Sequence, residues 1–323
     1  MKLSVIIVSY NEKKYLNEAL MSCLNQKCNF EYEIIIGDDG SSDGSIEDIK
    51  KYVNAYDQVS NFFVMERVEK EDIIPSIRVS NILKKGFELA KGDYICVLSA
   101  DDYFCDMDKF NSQIAFLEKN EKYASCYTGY KKVWDDGSEK ECCQKIPTKH
   151  SRNLFWGTSY VHISCFVFRR ECIKNLLVRF CDDTGLLYSI LATGKSFYMK
   201  RICFSYRQRD NSIMHSSKQI ELALLEMLLF QDCINKGYMK IASLARFFAP
   251  MYMLIKNRKE LTRTNYLKYI KQAKKYNNDI IGIVYEFDSY CLLEKAKYIL
   301  LLLFNGGVYL FFKMIQALSM IVG

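Results

Sequence analysis

Ile36-Gly37-Asp38-Asp39-Gly40-Ser41-Ser42-Asp43-Gly44 sets three carboxylates among small turn-forming residues, directly after the apolar stretch Glu33–Gly37. The apolar stretch reads as a buried strand and the run after it as the loop leaving that strand. Val97-Leu98-Ser99-Ala100-Asp101-Asp102 repeats the arrangement at the end of a second apolar strand, Asp93–Leu98. Around these two segments strands and helices alternate. Ser4–Ser9 is β-rich, and Lys14–Asn25 carries Leu16, Ala19, Leu20, Cys23 and Leu24 at helical spacing. A helix starts at about Ile46, Phe62–Glu66 reads as a strand, and helix Ser80–Ala90 stops at Lys91-Gly92. This order predicts an α/β fold whose parallel strands present ligand loops at their carboxyl ends. Carboxylates gathered there suit a hard divalent cation, Mg2+ or Mn2+, which offsets the phosphates of a nucleotide.

Other readings of the same residues fit less well. Aspartate favours turns and helix caps, which would explain one isolated Asp-Gly-Ser. Asp39, Ser41, Asp43 and Gly44 match the early positions of a calcium loop, but Lys50 stands where its closing glutamate belongs and a strand precedes it. Tyr10-Asn11-Glu12 after the first strand lacks the glycines of a dinucleotide fold.

Beyond Asp102 the pattern changes. Lys109–Asn120 reads as helix, Tyr123–Trp134 as a strand turning at Asp135-Asp136-Gly137, Tyr160–Arg169 as another strand and Gly185–Thr193 as helix. After Ser216 strands nearly vanish, and Lys218–Lys236, Ile241–Lys256 and Leu261–Tyr276 read as helices. The organisation is therefore a domain over 1–215, a helical extension over 216–295 and an apolar tail over 296–323. The 323 residues are half hydrophobic with three prolines, which excludes a disordered chain, and a net charge of +7 argues weakly for nucleic acid. Thirteen cysteines without a C-x-x-C pair suit a reducing cytosol. Leu3–Val8 is too short for a signal peptide, so the amino-terminal domain is expected in the cytoplasm.

The extension interleaves Lys256, Arg258, Lys259, Arg263, Lys268, Lys271, Lys274 and Lys275 with Leu261, Tyr266 and Ile270. A basic amphipathic helix of this kind suits an anionic bilayer surface. Tyr298–Phe312 is apolar, but fifteen helical residues reach roughly 22 Å against a hydrocarbon core of ~30 Å. The tail therefore reads as a peripheral anchor, with a buried helix pair as the alternative.

Four segments together resemble the family-2 glycosyltransferases of GT-A fold. They are Ser4-Val-Ile-Ile-Val-Ser-Tyr-Asn-Glu12, Asp38-Asp-Gly-Ser-Ser-Asp-Gly44, Ala90-Lys-Gly-Asp-Tyr-Ile95 and Leu98-Ser-Ala-Asp-Asp102, in matching order and spacing. The resemblance covers roughly residues 1–215. It implies a mixed, mostly parallel sheet flanked by helices, binding a nucleotide-sugar donor and a saccharide or lipid-linked saccharide acceptor. By position, Tyr10, Asn11 and Glu12 lie against the nucleotide, Asp39 holds the base with Asp38 beside it, and Asp101 binds the cation. Asp102 falls near the donor sugar, and Arg78 and Asn81 near the diphosphate or sugar. The chain departs from the family at Ser99, which replaces the first acid of the Asp-x-Asp metal motif.

The same resemblance makes Asp183, in Phe180-Cys-Asp-Asp-Thr-Gly-Leu186, the base that takes the acceptor's proton, with Asp182 orienting it. Alone, such a pair reads as a helix cap; the upstream clusters favour the base. Such a base suits one in-line, inverting displacement. Tyr206-Arg-Gln-Arg-Asp-Asn-Ser-Ile-Met-His215 resembles a loop closing on the donor, with Arg207 or Arg209 for the diphosphate and Ser212 or His215 for phosphate or metal. His162 and Ser164 fall on the acceptor side, and Trp156 is a candidate for sugar stacking. By analogy the acceptor belongs to a bacterial surface polysaccharide such as O-antigen or capsule. Two competing classes remain: a non-catalytic nucleotide or nucleic-acid binder using the basic face, and a nucleotidyltransferase. The first lacks aromatic-basic interleaving in the strand region, and the second lacks a glycine-rich basic loop after strand one.

Overall fold

A computed structural model describes residues 1–65, 75–142, 161–174 and 183–209. The chain divides into two compact units, and the described residues belong to the first, Met1–Glu71 with Pro75–Ser216. The expected helical extension and apolar tail lie outside the described residues, as do Trp156, Asp182, Ser212 and His215.

Strand β1 (Leu3–Ser9) is buried almost throughout because it lies at the middle of the parallel half of the sheet, between β2 (Tyr32–Asp38) and β4 (Tyr94–Ser99). A strand covered on both faces needs the unbroken apolar run that this segment carries. Strand β3 (Val59–Val64) adds to β2 in parallel, starting three residues and ending two residues before the places the periodicity gave it. Between them run α1 (Lys13–Leu24), α2 (Ser45–Ala55) and α3 (Pro75–Leu89). Helix α3 sits close to the sheet because Gly37 carries no side chain; a Cβ there would strike Ile82 and the Phe63 ring.

The other half of the sheet is built differently. Strand β5 is Tyr103–Phe104, helix α4 Lys109–Lys119, β6 Tyr123–Val133 and β7 Glu139–Cys142. They are followed by β8 (Phe166–Arg169), the short helix α5 (Glu171–Lys174), α6 (Asp183–Thr193) and β9 (Lys195–Arg207). The sheet runs β3-β2-β1-β4-β8-β6-β9-β5, with β7 beside β6. Strand β8 is antiparallel to β4 and β6, β9 is parallel to β6, and β5 is antiparallel to β9. The turn between β6 and β7 runs through Gly137 at φ +82°, a conformation that favours glycine.

This half departs from the sequence reading in two places. Among the described residues of the strand expected over Tyr160–Arg169, Phe166–Arg169 pairs in the sheet, whereas Ile163–Cys165 forms a 3-10 turn capped by His162, whose Nδ1 accepts from Ser164 N at 3.3 Å. Strand β9 is the larger surprise. Its register against β6 slips from Met199 opposite Thr128 to Ile202 opposite Gly129 and again to Phe204 opposite Tyr130, so Lys200, Arg201 and Cys203 are extra residues that break the alternation.

A buried polar spine joins the second half. Gln113 on α4 donates to Cys126 O at 2.6 Å and Cys165 O at 3.0 Å, while its Oε1 accepts from the buried Lys109 at 2.7 Å. Among the described residues no helix is long and apolar enough to cross a membrane.

Candidate active site

The register of the parallel strands builds one edge. Ser9 pairs with Asp38, and Val8 with Ser99, so β1, β2 and β4 all end on the same line. The chain keeps hydrogen bonding as it leaves. Asp39 N donates to Ser9 O at 2.9 Å, and Ala100 N to Val8 O at 2.9 Å. The two acidic loops therefore start side by side, at the carboxyl ends where an open α/β sheet takes ligands.

The first loop is tied to the turn after β1. Asp38 is fully buried and accepts from Ser41 N and Ser41 Oγ, each at 2.7 Å. Asn11, at φ +53°, donates its N–H to Ser41 Oγ at 2.8 Å and accepts from Ser42 N at 2.9 Å. Asp43 receives Lys13 N and Ser45 N at 2.9 Å each, closing the loop over the start of α1. Tyr10 is half-buried at the end of β1. Asp39 is gripped by Arg78, which donates from Nε to its carboxylate and from Nη2 to its carbonyl at 3.0 Å. Arg78 thus orients Asp39 in this structure. Asn81 is half-buried one turn further along α3.

The second loop is tied to the end of β9. Asp102 is buried, and its Oδ1 accepts from Arg207 N at 2.8 Å. Desolvation pushes its carboxyl well above the usual range, the charge of Asp101 adds to that, and Arg207 N–H opposes it. Asp101 accepts from Ser99 Oγ at 2.5 Å on one oxygen and from Arg209 on the other. Arg209 also spans Glu12 with two bonds of 2.8 and 2.7 Å. Burial, opposed by the Arg209 hydrogen bonds and reinforced by Asp101, brings Glu12 to about 7. Arg207 bonds Asp101 O at 2.9 Å and pairs with Glu18 at 2.5 Å.

Asp183 opens helix α6 and keeps its side chain exposed. Its surroundings still desolvate the carboxyl and raise its pKa; His162 pulls it down and Asp101 pushes it further up. Burial lowers the pKa of His162, which Asp183 and Asp101 partly offset. His162 packs at a tilt against Phe204 and Tyr206, with ring centroids 4.6 and 4.8 Å away. Tyr206 is held near 12 by burial and by the charges of Asp102, Asp101 and Asp183. Ser164 is buried beside His162. The three acids Asp101, Asp102 and Asp183 therefore share one electrostatic neighbourhood, with Tyr206 inside it.

Several residues of this neighbourhood escape sequence reasoning. Tyr15 and Glu18 are one turn apart on α1, and Tyr15 carries the guanidinium carbons of Arg207 and Arg209 at 4.4 and 5.2 Å from its ring centroid. Tyr103 lies 5.5 Å from Arg207. An aromatic residue just after Tyr10-Asn11-Glu12 was the available signal, but its partners are nearly two hundred residues away in the chain.

The residues fit a divalent ion. Glu12 and Asp101 grip a single cationic group, so the place selects positive charge, and carboxylate oxygens are what Mg2+ and Mn2+ take. Among the described residues no three His, Cys, Asp or Glu side chains group to hold a metal. An ion that draws its remaining ligands from phosphates and water needs no such group.

The profile of glycosyl transferase family 2 matches residues 4–177, more than half of the chain, and the protein belongs to that family. Its mixed, helix-flanked sheet is that of the GT-A fold. The putative glycosyltransferase EpsE of Bacillus subtilis (strain 168) is 31% identical over 284 residues, 80% of this chain and 96% of its own. The putative teichuronic acid biosynthesis glycosyltransferase TuaG of the same strain is 26% identical over 243 residues, 73% of this chain and 90% of its own. The chain spans about half the length of the first curated relatives it matches, which are uncharacterized mycobacterial proteins. S. aureus TarS 1-349 in complex with UDP-GlcNAc shares the fold at a TM-score of 0.61 and 15% identity, over 85% of this chain and 80% of that one. The mannosyltransferase PcManGT from Pyrobaculum calidifontis, in complex with GDP-Man and Mn2+, does so at 0.52 and 15%, over 98% and 84%.

Proposed function

We propose that the protein transfers a sugar from a uridine diphosphate donor to an acceptor hydroxyl, inverting the anomeric centre, during assembly of a bacterial surface polysaccharide. The observation that carries this reading is the common edge formed by Ser9, Asp38 and Ser99, from which both acidic loops depart. TarS with its UDP-GlcNAc and TuaG with its teichuronic acid role support the donor and the polymer class.

In this reading Asp39, oriented by Arg78, receives the N–H of the base, and Tyr10, Asn11 and Asp38 shape its pocket. Asp101, with Glu12 beside it, holds the Mn2+ or Mg2+ at the diphosphate. When bound, the ion offsets charge on the departing group. Asp102, neighbour to Tyr206 and fixed by Arg207 N–H, faces the donor sugar. Asp183 takes the proton of the acceptor hydroxyl as its oxygen bonds to the anomeric carbon. The bond from that carbon to the diphosphate oxygen breaks, and the electron pair leaves with the diphosphate. His162 and Ser164 line the acceptor side. The basic extension and apolar tail hold the enzyme peripherally at the inner face of the membrane, where lipid-linked acceptors are presented.

A thermal-shift screen of nucleotide-sugars with and without Mn2+ tests the donor. Uridine diphosphate sugars should stabilise the protein, and more so with the ion. Stabilisation by another nucleotide class alone would overturn the donor assignment.

A further inference from the structure

Arg209 makes an arrangement that the transfer reaction does not use. Its Nη1 and Nη2 grip both oxygens of Glu12, at 2.8 and 2.7 Å, and Nη2 also reaches Asp101 Oδ2. The other oxygen of Asp101 is taken by Ser99 Oγ–H at 2.5 Å. Every carboxylate oxygen of Glu12 and Asp101 is therefore already engaged. The three side chains are 14–20% exposed, so water screens them little.

We propose that Arg209 is a built-in counter-ion that occupies the divalent cation's place, and that it thereby sets how tightly the enzyme holds its metal. This rests on the reading of Asp101 as the cation's ligand. Charge favours the exchange. Two carboxylates facing one guanidinium leave a surplus negative charge, which a doubly charged ion removes. Geometry favours it too. Arg209 Nε is buried and, among the described residues, has no hydrogen-bond partner, so the guanidinium uses its donors incompletely in this pose. Diphosphate oxygens offer a planar fork enough acceptors to use them all. Arg209 thus offsets part of the charge of the ion-free site, and a bound ion would release it toward the diphosphate. Ser99 fits the same scheme. Its hydroxyl spaces Asp101 without adding a second full charge, so that one guanidinium goes most of the way to balancing the site.

The test measures Mn2+ binding without donor, read from the electron paramagnetic resonance signal of free Mn2+, on wild-type protein, Arg209→Gln, Arg209→Lys and Asp101→Asn. Arg209→Gln removes the competing charge and should tighten Mn2+ binding at least tenfold. Arg209→Lys keeps the charge without the two-pronged grip and should fall between, which guards against a folding defect in the glutamine variant. Asp101→Asn should weaken binding. If Arg209→Gln binds Mn2+ no more tightly than wild type while Asp101→Asn still weakens it, Arg209 does not hold the ion's place, and Asp101 keeps its assignment. If Asp101→Asn also leaves the affinity unchanged, both readings fall.

Discussion

The guanidinium of Arg207 lies over the ring of Tyr15, 4.4 Å from its centroid, and fastens the last strand of the sheet to the first helix. The same group bonds the carbonyl of Asp101 and pairs with the half-exposed Glu18. The exposed pair contributes little; the ring contact and the carbonyl bond account for most of the effect. Arg207→Ala should lower stability by roughly 1–3 kcal/mol, measured by urea denaturation. The backbone N–H on Asp102 survives that change, so Arg207→Ala should weaken donor binding less than Asp101→Asn does in a titration with the donor.

Glu33 tests the scaffold away from the chemistry. It is buried, its Oε1 accepts from Ser4 Oγ and Lys91 N at 2.7 Å each, and its Oε2 accepts from Ser60 Oγ at 2.7 Å. Ser4 Oγ in turn accepts from Gly92 N at 2.8 Å. Glu33→Ala orphans three donors and should cost about 2–5 kcal/mol, with Glu33→Gln costing less. KM of the folded fraction should stay unchanged in both, because Glu33 lies on β2 five residues before Asp38.

Asp183 carries the proton in the proposed reaction. Asp183→Asn should keep donor binding by thermal shift while transfer falls by at least a thousandfold, on the order of what loss of an essential base costs. Because desolvation raises the pKa of Asp183, the base is lost at a higher pH than for a free aspartate. The acid limb of kcat/KM should therefore lie above the ordinary carboxylate value, and a limb at or below that value would contradict the assignment.

His162 gives a pH effect of defined sign. Its pKa lies below the ordinary 6.5, mainly because burial disfavours the imidazolium. The unfolded chain then binds a proton that the folded one resists. The stabilisation is complete above pH 6.5 and is lost as pH falls from there through the depressed value. His162→Gln should flatten the fall in Tm between neutral pH and pH about 5, as read from melting curves.

The parallel half was legible because its information is local. Leu3–Ser9, Tyr32–Asp38 and Tyr94–Ser99 are apolar runs that each end on small or acidic residues, and each boundary falls within a residue or two of its expected place. The second half was not. In β9 the extra residues Lys200, Arg201 and Cys203 interrupt the alternation, and Arg201 is drawn off to Asp106 and Asp108. A two-residue strand such as Tyr103–Phe104 has no period to read at all. The acids of the candidate site stand in sequence motifs, but Tyr15, Glu18 and Tyr103 do not, and Arg78 on Asp39, Arg209 on Glu12 and Arg207 over Tyr15 could not be paired, since charge and ring contacts leave no spacing signature.

Glu12 and Arg209 stand at opposite ends of the described domain, and this orders events during synthesis. A nascent chain that has emerged only as far as Ser99 already holds the three parallel strands that fix the pocket's rim, yet Glu12 and Asp101 must wait for β9 before they meet a positive charge. The charges at this edge are therefore met only once Arg209 has left the ribosome.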